Sequence, residues 1–162
     1  IPAVCEAVRI PVIAAGGIGS GRAMFAAMSL GAEGVQIGSR FVATPEASAH
    51  QAFKDKIIHA GEGDTLLTLK ELTPVRLLKN PFFDEVMSAY ERDADKEELE
   101  KLLGRGRAKK GMFEGDLEQG ELEIGQVSAM IKEMKPAADI VAEIVHEFYR
   151  VREEMGHNKY QF

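Results

Sequence analysis

Between residues 10 and 38 two short apolar runs flank a segment of helical periodicity, an order that few folds accommodate. Residues 10–15 (IPVIAA) are rich in β-branched side chains and are closed by Gly16-Gly17, the pattern of a strand buried on both faces. Ser20 is placed to cap the next segment, where Ala23, Met24, Ala27, Met28 and Leu30 form an apolar stripe that ends at Gly31. Residues 34–38 (GVQIG) read as a second strand. Strand, helix and strand within so short a span make a right-handed crossover, so the two strands are expected to be parallel. On their own they would leave both sheet edges unpaired.

Thr44-Pro45 is expected to open another helix, with Pro at its first position and Ala49, Phe53 and Ile57 along one face before Gly61. Residues 1–62 thus read as a βαβα unit, and residues 63–162 as a mainly helical extension packed on it. Within the extension, residues 64–69 suit an isolated strand, and Thr73-Pro74 opens a short helical segment that Pro81 breaks. Asp95 caps KEELEKLL, which Gly104 ends. Residues 104–125 carry six glycines and dense charge and read as an ordered, irregular loop. From Pro136 to about residue 155, Ile140, Val141, Ile144, Val145, Phe148 and Val151 mark one face of a long packing helix. Met24 and Met28 read as core filler.

Composition narrows the function classes. With 20 basic and 26 acidic residues the net charge is −6, so the positive field that nucleic-acid binding draws on is missing. No apolar run approaches the ~20 residues of a membrane helix, and no membrane contact is expected. The lone Cys5 forms no internal disulfide, no Cys/His spacing offers a metal site, and a cytoplasmic location is the default expectation. The chain begins Ile1-Pro2 rather than with Met, so a longer parent protein is expected.

The glycine turns carry the chemistry. Gly16-Gly17-Ile18-Gly19 and Gly38-Ser39-Arg40 each come directly after a strand at its carboxyl end, where α/β folds bind ligands. Without a Cβ the backbone approaches a ligand closely, and its amides can converge on an anion. The dipole of the adjoining helix would add to such a cradle, as would the Ser39 hydroxyl. Arg40 could meet a phosphate or a carboxylate, and Gly16-Gly17 could equally serve only a tight turn. The cluster Arg105, Arg107, Lys109 and Lys110 could meet an acidic partner, but a solvated loop neutralised by the acids just downstream is the expected reading. Gly125-Gln126 either closes over a site or starts a helix, and Asp64 and Glu71 make no defensible acid–base pair.

The segment PVIAAGGIGSGRAMFAAMSLGAEGVQIGSRF closely resembles the corresponding part of the nitronate monooxygenase (2-nitropropane dioxygenase) family, which includes FMN-dependent enoyl-acyl-carrier-protein reductases. The similarity continues through Ala49-His50, and GRGRAKKGMFEGDLEQGELEIGQ is similar to a bacterial subgroup of the family. The resemblance implies an FMN-binding (β/α)8 TIM barrel, with this chain supplying strands seven and eight. The flavin contacts it carries over are Gly16, Gly17, Gln36, Ile37, Gly38 and Ser39. The Gln36 amide would face the flavin edge or ribityl chain, and Gly38 and Ser39 the phosphate. It further implies a small-molecule substrate: an alkyl nitronate oxidised with oxygen or, alternatively, an enoyl thioester reduced with NAD(P)H. A homodimer is compatible with it.

The sequence departs from the family pattern in one respect. The family's catalytic histidine and the glycine strand beneath its flavin lie upstream of the residues present, and His50, His59, His146 and His157 fall on expected helices or the tail. No catalytic residue is therefore assigned, and the chain alone is expected to be inactive. Two rival readings stay open: a non-flavin barrel that binds a phosphorylated metabolite, and a helical module that binds a protein.

Overall fold

The computed structural model describes residues 1–156. The first part runs α1 (Pro2–Ala7), β1 (Ile13–Ala15), α2 (Gly21–Ser29), β2 (Gly34–Gln36), α3 (Ser39–Val42) and α4 (Gln51–His59). As the crossover spacing predicts, β1 and β2 are parallel, with Ile13 opposite Gly34 and Ala15 opposite Gln36. Ser20 caps α2, its hydroxyl accepting the Ala23 N–H at 3.1 Å, and Gly31 comes after the helix at φ +104°. Ala14, Ile18, Ala27 and Ala32 form a small core with Met24, Val35 and Ile37 against it. β1 is not buried on both faces, because Ile13 is 55% exposed and each strand pairs only with the other among the described residues.

The helix expected from Thr44-Pro45 starts later, at Gln51. The Thr44 hydroxyl donates to the Phe41 carbonyl and accepts from the Ala47 N–H, a local turn that competes with helix formation. The cap of α4 is His50, whose Nδ1 accepts from the Ala52 N–H at 3.1 Å. Phe53 and Ile57 then face inward as the periodicity predicts.

The second part is less helical than its composition suggests. β3 (Thr65–Thr68) and β4 (Val75–Leu78) form an antiparallel hairpin, so residues 64–69 hold a paired strand and the helix expected after Thr73-Pro74 is a strand instead. The hairpin puts Leu77 and Leu78 wholly inside, burial that outweighs helix propensity in so short a run. Pro81 breaks nothing: it is the first residue of α5 (Pro81–Glu91), capped by Asn80 Oδ1, which accepts from Phe83 N–H at 2.9 Å. α6 (Lys96–Leu103) carries the expected Asp95 cap, completed by Glu98 into a reciprocal box, and Gly104 ends it at φ +63°.

Residues 104–125 are ordered and irregular, and they also contribute core. The Leu78 N–H donates to Leu122 O at 2.9 Å and the Ile124 N–H to Arg76 O at 3.1 Å, which lays residues 122–124 alongside β4. Leu122 and Ile124 join Ala43, Phe53, Ile57, Leu78 and Ile131 in one apolar cluster that bridges the 62/63 boundary. A second cluster, around Leu69, Leu77, Phe82, Val86 and Leu99, holds the hairpin to α5 and α6.

The last helix, α7 (Ala137–Gly156), packs on α2. Ile140, Ile144 and Val151 are buried, and Phe148 meets Phe25 edge-on at 5.7 Å between centroids. Val141 and Val145 are 50% and 42% exposed, because α2 covers a narrower stripe than the sequence pattern allows. The close approach depends on Gly21, where an added Cβ would run into the backbone of Ile144 and Phe148. Among the described residues no helix is long and apolar enough to cross a membrane.

Candidate phosphate cradle

Both glycine turns open on one concavity of ≈ 270 Å³, lined by Ala15, Gly16, Gly17, Ile18, Gln36, Gly38, Ser39 and Val127. Five of the six residues singled out from the sequence thus meet there. The sixth, Ile37, turns its side chain to the small core around Ala14 and Ile18. Gly16 and Gly17 adopt φ +92° and +72°, and the position a Cβ would take at either one is empty space. Side chains are excluded there by backbone conformation and not by crowding, which leaves the main chain bare toward the concavity.

The second wall comes from far along the sequence. A short 3₁₀ helix (Gln126–Met130) begins at Gly125, whose N–H donates to Ser39 Oγ at 3.0 Å. A Cβ on Gly125 would stand 2.7 Å from that oxygen, and one on Gly19 would collide with Val127. Gly125-Gln126 therefore opens a helix, and Gly125 bonds the Ser39 side chain that lines the concavity. Val127 is the lining residue that sequence reasoning leaves out. The available signal is Gly125 itself, a glycine just ahead of an apolar segment.

The electrostatics differ from the expectation on one point. The N-terminus of α2 is already satisfied, since the Gly21 N–H donates to Glu147 Oε2 at 2.7 Å and the Ala23 N–H to Ser20. Its dipole serves α7 and not a ligand. Arg40 also turns to a carboxylate, Glu143, with Nη2 to Oε2 at 2.9 Å. Lys135 binds Glu143 too, and holds its carboxyl below the usual range with help from Arg40. Arg40 and Glu143 line a separate cavity of ≈ 150 Å³. An anion in the cradle is left with backbone amides and the Ser39 hydroxyl, whose oxygen accepts from Gly125 and whose proton can donate.

The other candidates have structural work. Arg107 is not part of a solvated basic loop: Nε donates to Leu102 O and Leu103 O, Nη1 to Gln119 O at 2.7 Å, and the guanidinium lies 4.3 Å from the Phe82 ring centre. Lys109 and Lys110 pair with Glu114 and Asp116 at 3.1 and 2.9 Å, as expected from the acids downstream of them. His50 caps α4, His59 bonds Asp55 O, and His146 is exposed on α7. None of these three lines the concavity, and His157 lies outside the described residues. No cluster able to hold a metal ion is found among the described residues.

The concavity fits the phosphate end of a flavin mononucleotide. Its bare glycine backbone, the Gln36 amide and the Ser39 hydroxyl offer donors and no carboxylate, although ≈ 270 Å³ is below the ~300–1,000 Å³ of a whole small-molecule site. What this geometry presents is a concavity walled by bare backbone, an amide and a hydroxyl at the carboxyl ends of two parallel strands in an α/β chain.

Comparison with known proteins gives the family. The nitronate monooxygenase family model matches residues 1–147. A probable nitronate monooxygenase of Staphylococcus aureus is 34% identical over 151 residues, covering 93% of this chain and 42% of that protein. FabK from Thermotoga maritima superposes with a TM-score of 0.85 at 39% identity, over 95% of this chain and 49% of that one. A nitroalkane oxidase from Streptomyces ansochromogenes superposes with a TM-score of 0.72 at 33% identity, over 94% of this chain and 43% of that one. The chain belongs to the nitronate monooxygenase family, whose named members here are oxidoreductases. It spans a little under half the length of these relatives.

Proposed function

We propose that this chain forms the cofactor-phosphate side of an FMN-dependent oxidoreductase that oxidises alkyl nitronates with oxygen. The observation that carries this reading is the meeting of Gly16, Gly17, Gln36, Gly38 and Ser39 around one bare-backbone concavity. In this reading β1 and β2 are strands seven and eight of a (β/α)8 barrel, whose active sites open at the carboxyl ends of the strands. The amides of both turns and the Ser39 hydroxyl hold the phosphate, and Gln36 reaches the ribityl chain. Gly125 fixes the Ser39 oxygen, and Val127 keeps water from that wall. Bound flavin would supply electron transfer between substrate and acceptor. No side chain that lines the concavity is an acid or a base, so a step that moves a substrate proton is assigned to residues outside it.

A second reading has its own support. The likeness to FabK, at a TM-score of 0.85, favours reduction of an enoyl thioester by NAD(P)H in this family context. Absorbance of the protein that carries this chain separates the two. Bands near ~370 and ~450 nm report flavin, and anaerobic addition of an alkyl nitronate bleaches them on the first reading, whereas only NADH or NADPH does so on the second. A colourless protein that takes up no FMN contradicts both.

A further inference from the structure

The 3₁₀ helix that turns Val127 into the cradle turns Gln126, Ala129 and Met130 into a second, larger cavity of ≈ 520 Å³. Two cations line it. Arg76, on β4, donates from Nη1 to Thr65 O at 3.1 Å and to Thr65 Oγ1 at 3.3 Å. Lys132 donates from Nζ to the Ala60 carbonyl. Both heads are thus tethered by neutral oxygens, and among the described residues no carboxylate lies within ion-pair distance of either. The cavity has a single acidic lining residue, the exposed Glu62. Arg76 and Lys132 differ in this from Arg22, Arg40, Lys109, Lys110 and Lys135, which all pair with carboxylates.

We propose that this cavity binds a phosphate group carried by the substrate that meets the cofactor. Its place beside the cradle rests on the FMN-dependent function proposed above; its anion affinity does not. Arg76 has a second terminal nitrogen free for a phosphate oxygen, and a guanidinium already tethered on one side loses little freedom when it takes one. Lys132 adds a point charge, and Gln126 supplies an amide where the two cavities share the 3₁₀ helix. A local positive field inside an acidic chain attracts an anion to this spot over the rest of the surface. The phosphate has two possible carriers, a nicotinamide dinucleotide or the phosphopantetheine arm of a thioester.

The test titrates inorganic pyrophosphate calorimetrically into the full chain, with and without saturating FMN. The wild type is expected to bind pyrophosphate in the presence of FMN. The Arg76→Gln/Lys132→Gln pair should weaken that binding at least tenfold and leave FMN affinity within twofold. Lys132→Gln alone replaces an exposed side chain, so it keeps the test valid if the double variant unfolds, and it should weaken pyrophosphate several-fold. Unchanged pyrophosphate affinity in these variants, or complete displacement of pyrophosphate by FMN, overturns the proposal. Pyrophosphate binding that depends on Arg76 and Lys132 in a chain that takes no FMN would sink the cofactor reading and leave this site standing. The carrier is then identified by which affinity the variants lose: the nicotinamide dinucleotides NADH and NADPH, or a coenzyme A thioester but not its phosphate-free N-acetylcysteamine counterpart. Loss of neither overturns the assignment to substrate.

Discussion

The Gly125 N–H donates to Ser39 Oγ at 3.0 Å, across 86 residues of sequence. This bond joins the turn after the second parallel strand to the 3₁₀ helix that walls the same concavity. Ser39→Ala removes the acceptor of a half-buried N–H and a donor facing the cradle. It is expected to cost about 1–3 kcal/mol of stability and to weaken FMN about tenfold, read by thermal unfolding and by quenching of flavin fluorescence. Ser39→Thr keeps the hydroxyl and should retain most of both.

Gly21 and Gly16 test two different reasons for glycine. At Gly21 a Cβ would strike the Ile144 and Phe148 backbone, so Gly21→Ala should separate α2 from α7 at a cost of about 1–3 kcal/mol. At Gly16 the space is open and only φ +92° resists a side chain. Gly16→Ala should cost about 1–2 kcal/mol and disturb the cradle without loosening α7. Urea unfolding with near-ultraviolet circular dichroism of Phe148 and Tyr149 distinguishes them, and equal dichroic loss in both variants would contradict the assignment.

Arg107 and Lys109 look alike in the sequence and should behave differently. Arg107→Ala leaves the Leu102, Leu103 and Gln119 carbonyls and the Phe82 face without a partner, and is expected to destabilise by about 2–4 kcal/mol. Lys109→Ala breaks one exposed pair with Glu114 and should stay within about 0.5 kcal/mol of wild type. Denaturant midpoints decide this, and a mild Arg107→Ala phenotype would return that residue to the solvated loop.

Acidity should have an unusual sign here. Burial, together with the neighbouring Glu123, pushes the Glu121 carboxyl up to about 7 against the opposing pull of Arg107. The folded chain then holds a proton that the unfolded chain releases near 4.5, so this group's contribution to stability falls as pH rises from about 4.5 to 7. Glu121→Gln should flatten that part of the profile and stabilise the chain at pH 8 by on the order of 1 kcal/mol. A wild-type profile that rises across the window, with no change in the variant, contradicts the assignment.

How much of the fold is legible in the sequence depends on the range of the forces involved. The parallel pair, the Ser20 and Asp95 caps and the glycine turns are written in neighbouring residues, and local chemistry decides them. β4 escapes a local reading because its strand character comes from burial of Leu77 and Leu78 against partners distant in sequence. The start of α4 is displaced because a Thr44 hydroxyl bond competes with a favourable Pro45. Val127 is hidden for the same reason as β4: its role exists only once residues 122–124 lie beside β4 and bring Gly125 to Ser39. Arg107 is told from Lys109 only by the carbonyls that surround it.

The most direct measurement is a fluorescence titration of FMN with the wild-type chain and with Gly17→Asp, in parallel with riboflavin, which lacks the phosphate. A cradle for the phosphate predicts saturable FMN binding, riboflavin binding at least tenfold weaker, and loss of FMN affinity in Gly17→Asp, whose carboxylate enters the concavity and whose φ of +72° disfavours a side chain. Equal affinity for FMN and riboflavin, or FMN binding untouched by Gly17→Asp, contradicts the claim that these glycine turns hold a phosphate.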